Sequence, residues 1–321
     1  MPFDTIPYLV SIILSVSNKI LITGASGLIG KALIKVLLKQ GYSINVLTTQ
    51  KKSLKIDKRI NSFLWNPIKN QIDLQSLEGV ECIINLAGAS ISQRWNKSAK
   101  KLIINSRVMS LQLLAHTIKT HKFQVNHLIS ASAIGIYPDS MTHYYEEKDT
   151  KFNSNSFLST VVRKWEVATD SFDSENLKIS IVRIGIVLDT NEGALPKIIK
   201  PVKLFMGSVF GTGNQWQSWI HIDDLVLIFS HILKNNLEGI FNAVAPNPVK
   251  QSELISTISD IIRKPLLLPK IPKFILKIIL GDMSALVLES QRVSAKKIQQ
   301  SGFKFKFHEI STALNNLLSY K

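Results

Sequence analysis

Gly24, Gly27 and Gly30 stand three apart in TGASGLIG, between the apolar run KILIT and a segment that places Ile29, Leu33, Val36 and Leu37 at helical spacing. A strand that turns on glycine straight into a helix can hold a diphosphate. One glycine permits the tight turn, one lets the main chain approach the pyrophosphate, and one lets the helix lie close on the strand, while the amides of the helix N-terminus face the anion. Gly24, Ser26, Gly27, Leu28, Ile29 and Gly30 are therefore the expected floor of a dinucleotide site. A merely structural turn is the competing reading of the same glycines. A Walker A loop is excluded, because Gly24 comes one residue too early and Ala32, after Lys31, offers no hydroxyl to magnesium.

The tip of the second strand, LTTQKK, decides which dinucleotide fits. An NAD site carries an Asp or Glu roughly 20 residues past the glycines to bind the ribose 2'-hydroxyl. Thr48, Thr49, Lys51 and Lys52 offer hydroxyl donors and positive charge instead. That favours the 2'-phosphate of NADP(H), with a solvated lysine loop as the plainer alternative. NLAGAS ends another apolar run on small residues, so Leu86, Ala87 and Gly88 would lie beside the cofactor, or simply pack closely. Arg94 and Trp95 in QRW, with Trp216, Trp219 and His221 in QWQSWIH, suit stacking and polar contacts with a substrate. Core packing accounts for the aromatic rings equally well. The histidines show no metal-ligand spacing, and no metal is expected.

Such residues need a sheet to hold them. From Lys19 onward, short apolar runs alternate with helical patterns: KILIT, YSINVLT, ECIINLAG, a long helix from about Lys97 to Thr120, HLISASAIGIY, the helix FLSTVVRKWEVATDSF and the strand KISIVRIGIVL. The expected fold is α/β, a Rossmann-type doubly wound parallel sheet with a smaller, partly helical C-terminal substrate lobe. Residues 1–18 read as an extension, 19–188 as the dinucleotide-binding domain with 219–245 returning to it, and 189–218 with 246–321 as the substrate lobe. Within that lobe FKFKF alternates as a half-buried strand does.

TGASGLIG, NLAGAS and LISASAIGIY recur in this order in the extended short-chain dehydrogenase/reductase superfamily, which the chain resembles. NLAGASISQRW, SASAIGIY, FGTGNQWQSWIHIDDLV, FNAVAPNPV and LESQRVSAKKIQQSGFKF look like an atypical branch of it, an epimerase family with a small helical C-terminal domain. The likeness covers nearly everything after residue 18. It implies an NADP(H)-binding domain, a nucleotide-sugar or other small-molecule substrate, and a likeness to proteins described as cell-division inhibitors. It also carries cofactor contacts onto Thr48, Thr49, Leu86, Ala87 and Arg107, although some relatives hold a basic residue where Thr49 stands.

In the wider superfamily a Ser or Thr polarises the substrate, a Tyr exchanges the proton, and a Lys four residues later tunes that Tyr. Ser132 fills the first role, but the other two fall at about Leu158 and Val162, which cannot titrate. Carbonyl reduction moves a proton with the hydride, so another group must supply it. Tyr137 is the first candidate, with Tyr144, Tyr145 and His221 behind it; for each, a structural role competes, and His221 would precede a helix capped by Asp223. An oxidoreductase or epimerase is one expectation. A non-catalytic NADP(H)-binding regulatory or sensor protein is the other.

Composition bounds the rest. The 39 Lys+Arg against 23 Asp+Glu give a net charge of +16, spread over the whole length without a nucleic-acid-binding signature, so no nucleic acid partner is expected. Cys82, the one cysteine, reads as a core thiol, compatible with a reducing compartment. YLVSIILSV near the start and FILKIIL near residue 275 are too short to span a bilayer, and no basic stretch precedes the former as in a signal peptide. A cytoplasmic protein without membrane partner is expected, and a homodimer is compatible with such a fold.

Overall fold

The structure is a computed structural model that describes residues 18–50, 58–149, 156–172 and 176–319. The N-terminal run YLVSIILSV and Lys51 with Lys52 lie outside the described residues. The first half holds strands β1 (Lys19–Thr23), β2 (Ser43–Thr48), β3 (Ile60–Asn66), β4 (Gln71–Ile72), β5 (Cys82–Asn85), β6 (His127–Ala133) and β7 (Tyr144–Tyr145). The second half adds β8 (Lys178–Ile184), β9 (Ile186–Leu188), β10 (Trp216–Gln217), β11 (Trp219–His221), β12 (Gly239–Ala243), β13 (Val249–Lys250) and β14 (Arg292–Val293). Helices are α1 (Leu28–Lys39), α2 (Lys97–His121), α3 (Phe157–Val167), α4 (Leu195–Lys203) and α5 (Ile222–Lys234). Five more close the chain: α6 (Gln251–Ile262), α7 (Lys273–Leu280), α8 (Ala285–Leu288), α9 (Lys296–Gln300) and α10 (Ile310–Leu318).

One sheet runs β12-β8-β6-β5-β1-β2-β3-β4, parallel throughout except at the β3–β4 edge. From β1 the chain first builds outward through β2 and β3, then returns to add β5, β6 and β8 on the other side. The order reverses between β1 and β5, and at such a switch point the carboxyl ends of neighbouring strands part to leave a crevice. KILIT is buried almost throughout because helices cover both faces: Ile20, Leu21 and Ile22 are at most 1% exposed.

Gly185 splits the expected long strand KISIVRIGIVL into β8 and β9. A Cβ there would collide with the Ser218 carbonyl oxygen, and β9 leaves the main sheet to pair with β11. A second core forms on that side, where Trp219 packs with residues of α4, α6 and α10, among them Leu195, Leu254 and Leu314. A third small cluster joins Trp95, Ile103 and Val161 to Met283 and Leu286, which seats the α8 region against α2 and α3.

FKFKF is not a strand. Phe303 and Phe305 are buried and their lysine neighbours exposed, as the alternation implies, but the amides of Lys306 and Phe307 donate to the Asp224 carboxylate at 2.9 and 3.0 Å and no ladder forms. The cap of α5 also differs from expectation: His221 Nδ1 accepts from the Asp223 amide at 3.0 Å, so the histidine is the cap and Asp223 the residue capped. β3 and β4, edge elements in a stretch rich in polar residues, have no counterpart in the sequence reading.

Candidate functional site

The glycine turn is shaped by main-chain contacts. Gly24 has φ +67°, and a Cβ on it would stand 2.5 Å from the Leu86 carbonyl oxygen. A Cβ on Gly30 would stand 2.5 Å from the Gly24 carbonyl oxygen and 2.6 Å from Ala25 Cα. The first enforces the turn; the second presses α1 onto β1. Gly27 caps α1 with no side-chain hydrogen bond, and Ser26 and Gly27 are exposed at the rim. The first helical turn therefore presents amides at the crevice with no side chain in front of them. Leu28 and Ile29, half-buried, carry those amides on α1.

Thr23 ties this turn to the opposite wall. Its buried hydroxyl donates to Asn85 Oδ1 at 2.7 Å and accepts from the amides of Leu86 and Ala87, both at 3.1 Å. Leu86, Ala87 and Gly88 thus line the carboxyl end of β5 at the switch point. At the tip of β2, half-buried Thr48 accepts the Gln50 amide at 3.2 Å and Thr49 is exposed, with no carboxylate among Thr48, Thr49 and Gln50.

Arg107 stands behind Gly88. A Cβ at Gly88 would lie 2.9 Å from the guanidinium carbon, and Arg107 Nη1 donates to the carbonyls of Ala89 and Ile103 at 3.1 and 2.9 Å. The guanidinium also covers the Trp165 ring at 4.9 Å, and no carboxylate pairs with it among the described residues. Burial draws its pKa down to about 10, which leaves it cationic at neutral pH. Uncapped first-turn amides, a turn that only glycine can make at Gly24 and a buried cation without a carboxylate partner among the described residues together fit an anionic dinucleotide.

The expected catalytic pair is placed differently. Ser132, 2% exposed at the end of β6, donates to Glu166 Oε1 at 2.6 Å. Glu166 also receives Arg183 through two bonds, Nε at 2.9 Å and Nη2 at 2.8 Å. Arg183 Nη1 donates to the Tyr137 hydroxyl at 3.0 Å, and that hydroxyl donates to Asn242 Oδ1 at 2.7 Å. Burial pushes the Tyr137 phenol up to about 12 against the pull of Arg183. Tyr137 is 1% exposed and its hydroxyl is spent on this chain, so the geometry makes it a tie between β6, β8 and β12, and gives a proton-transfer role no support.

Leu158 and Val162 do occupy the α3 face that covers the end of β6. A Cβ at Gly135 would lie 3.3 Å from Leu158 Cβ and 3.8 Å from Val162 Cγ2. An apolar face stands where the superfamily keeps its acid.

Trp219 and His221 belong elsewhere. Trp219 is fully buried with its indole N–H on the Asn247 carbonyl at 3.0 Å, and His221 stacks on Phe307 at 4.0 Å with Nε2 3.2 Å from Asn316 Oδ1. Both serve the second core rather than a ligand, because their polar atoms are consumed there. Arg94 is exposed. Trp95 lines a cleft of about 780 Å³ between α2, the start of α3 and α7 to α8, together with Phe157, Lys100, Asp139, Lys273 and Glu289. Burial, and after it the nearby Asp139, pushes the Glu289 carboxyl above its usual range.

Residues 20–243 match the family described as NAD dependent epimerase/dehydratase. The chain belongs to that family. Residues 271–317 match a separate domain of unknown function, DUF1731, that begins just before α7 and runs into α10. An epimerase family protein of Staphylococcus saprophyticus is 34% identical over 301 residues, 93% of this chain and 98% of the relative. The crystal structure of human epimerase family protein SDR39U1 with NADPH superposes with a TM-score of 0.83 at 26% identity, covering 94% of this chain and all of the human one. A nucleoside-diphosphate sugar epimerase from Corynebacterium glutamicum matches with a TM-score of 0.75 at 28% identity, covering 94% of this chain and 58% of that one.

Thr23, Glu166, Arg183 and Asn242 were missed by sequence reasoning. Arg183 carried a signal: a lone cation inside the apolar run KISIVRIGIVL must find a buried carboxylate.

Proposed function

We propose that this epimerase-family protein binds NADP(H) in the crevice at the switch point and acts on a nucleotide sugar or another small carbonyl or hydroxyl compound as an oxidoreductase or epimerase. The observation that carries the reading is the glycine turn, where Gly24 and Gly30 admit no Cβ and no side chain caps the first turn of α1. Gly24, Gly27 and Gly30 bind the diphosphate, Leu86 to Gly88 form the facing wall, and Arg107 adds positive charge behind it. Thr48 and Thr49, with Lys51 beyond them, meet the 2'-phosphate without a repelling carboxylate. The NADPH in the human relative and the sugar-nucleotide activity named for the Corynebacterium protein support the same reading. The cofactor, when bound, supplies the hydride chemistry; the chain positions it and excludes water.

The deciding measurement is a fluorescence titration with NADPH and NADH. The phosphorylated form is expected to bind about 10-fold more tightly or better, equal to about 1.4 kcal/mol. Equal affinities would overturn the assignment of the β2 tip.

A second reading, a regulatory protein that binds NADP(H) without turnover, is favoured by the apolar Leu158 and Val162 and by the engaged hydroxyls of Ser132 and Tyr137. A panel of carbonyl substrates separates the two. Turnover that Ser132→Ala abolishes while cofactor affinity persists supports the enzyme; tight binding with no hydride transfer to any substrate supports the regulator.

A further inference from the structure

FILKIIL, too short to cross a bilayer, forms α7 and buries only Leu276. Phe274, Ile278 and Ile279 on it are 63, 76 and 66% exposed. Just before α7, Leu267 and Leu268 are also open, and a neighbouring stretch exposes Leu204, Phe205 and Met206. The two stretches are joined: Ser208 Oγ donates to the Pro269 carbonyl at 2.6 Å, the Ile271 amide donates to Val209 O at 2.9 Å, and Lys264 Nζ lies 4.6 Å from the Phe205 ring. Eight of the fifteen exposed large hydrophobic side chains among the described residues sit on this one region. Soluble monomers rarely gather so much apolar surface without a use for it.

The charge of the region says what covers it. α4 carries three lysines, and five basic residues follow between Arg263 and Lys277, while residues 194–211 and 261–281 contain no Asp or Glu. Two of those lysines, Lys273 and Lys277, line the cleft beside Asp139, Asp282 and Glu289, while Lys264 lies over the Phe205 ring and Lys200 and Lys203 are exposed next to Leu204. A second copy related by a two-fold axis would set these lysines against their own copies. A nucleic acid would satisfy the lysines and leave the isoleucines and phenylalanines without an apolar partner. Exposed apolar side chains in two stretches that carry lysines and no Asp or Glu suit one surface above others, a bilayer with anionic headgroups over a hydrocarbon interior.

We propose that α7 and the adjoining 204–206 and 264–271 segments form a peripheral docking face for an anionic phospholipid membrane. Among the described residues no helix is long and apolar enough to cross the bilayer; Phe274, Ile278 and Leu267 enter the interfacial layer while the lysines meet the headgroups. This contact is independent of the nucleotide crevice, so it stands or falls without regard to the cofactor reading.

The test is flotation of the full-length protein with vesicles of phosphatidylcholine alone and of phosphatidylcholine mixed with phosphatidylglycerol, with no nucleotide added. Binding to the anionic vesicles should be at least about 10-fold tighter and should weaken as salt is raised, since lysines near such a surface are attracted to its headgroups. Ile278→Glu, at an exposed position that does not support the fold, should lower binding about 10-fold with the melting temperature unchanged. The pair Lys200→Glu and Lys203→Glu should do the same through charge. Absence of binding, equal binding to both vesicle types, or undiminished binding of both variants overturns the proposal. So does a dimer in vesicle-free solution that Ile278→Glu converts to monomer, because a second copy would then own the face.

Discussion

At the level of single residues, the chain Ser132–Glu166–Arg183–Tyr137–Asn242 holds a cation in the core by surrounding it with acceptors. Burial alone would draw Arg183 down; its bonds to Glu166 and Tyr137 hold it above its ordinary pKa. Removing one member leaves the others stranded. Glu166→Ala should therefore cost about 3–5 kcal/mol of unfolding free energy in a urea titration, the range for an uncompensated buried charge. Tyr137→Phe removes one hydroxyl bonded to Arg183 and Asn242, and should cost about 1–3 kcal/mol. Because Tyr137 is buried with its hydroxyl bonded to Asn242 and Arg183, NADPH affinity should be unchanged in that variant; a loss of affinity would return the phenol to the ligand. The sequence announces a buried Arg183, yet it cannot say that the carboxylate comes from α3 rather than a neighbouring strand. Partners 17 and 46 positions away meet only once the sheet order is known.

At the level of elements, the glycine turn was legible because its spacing reflects a local requirement, one strand turning into one helix. Gly30→Ala tests that requirement without disturbing a left-handed φ. The added methyl meets the Gly24 carbonyl and the Ala25 main chain, so α1 must shift outward, at about 1–3 kcal/mol of stability by analogy with overpacked cores. Cofactor affinity should fall with it, read in the same fluorescence titration. The alternation of apolar runs and helical patterns likewise gave β1, β2, β5, β6, β8 and the helices between them. The two-residue strands β4, β7, β10, β13 and β14 leave no such trace. They are bridges made where loops happen to run side by side, and their composition carries no period. FKFKF shows the opposite failure: its burial alternates correctly, while the hydrogen bonds that would make it a strand go to Asp224.

For the whole molecule, acid stability follows from buried histidines. His127, 4% exposed and beside Ser180 Oγ at 2.8 Å, has its pKa drawn down to about 4 by burial and then by Lys178. His221 is lowered by burial too, against the pull of Asp223 and Asp224. Unfolded, both titrate near 6.5. Below about that pH the unfolded chain takes up protons that the folded one refuses, so their share of stability is full above about 6.5 and is lost as pH falls, for His127 down to about 4. Glu147 and Asp224, raised by burial, slope the other way. The useful comparison is thus between proteins: His127→Asn should show a smaller drop in melting temperature between pH 7 and pH 5 than the parent, and an equal drop would show that His127 does not carry the effect.

The floor of the crevice is main chain pressed against main chain, Gly24 on the Leu86 carbonyl and Gly30 on that of Gly24. Backbone atoms are the same in every variant, so neither mutation nor drift can adjust that floor by small steps. Descendants of this chain can reshape the turn only at the side chains around it, and a lineage that loses either glycine must rebuild the junction of β1 and α1 in one event.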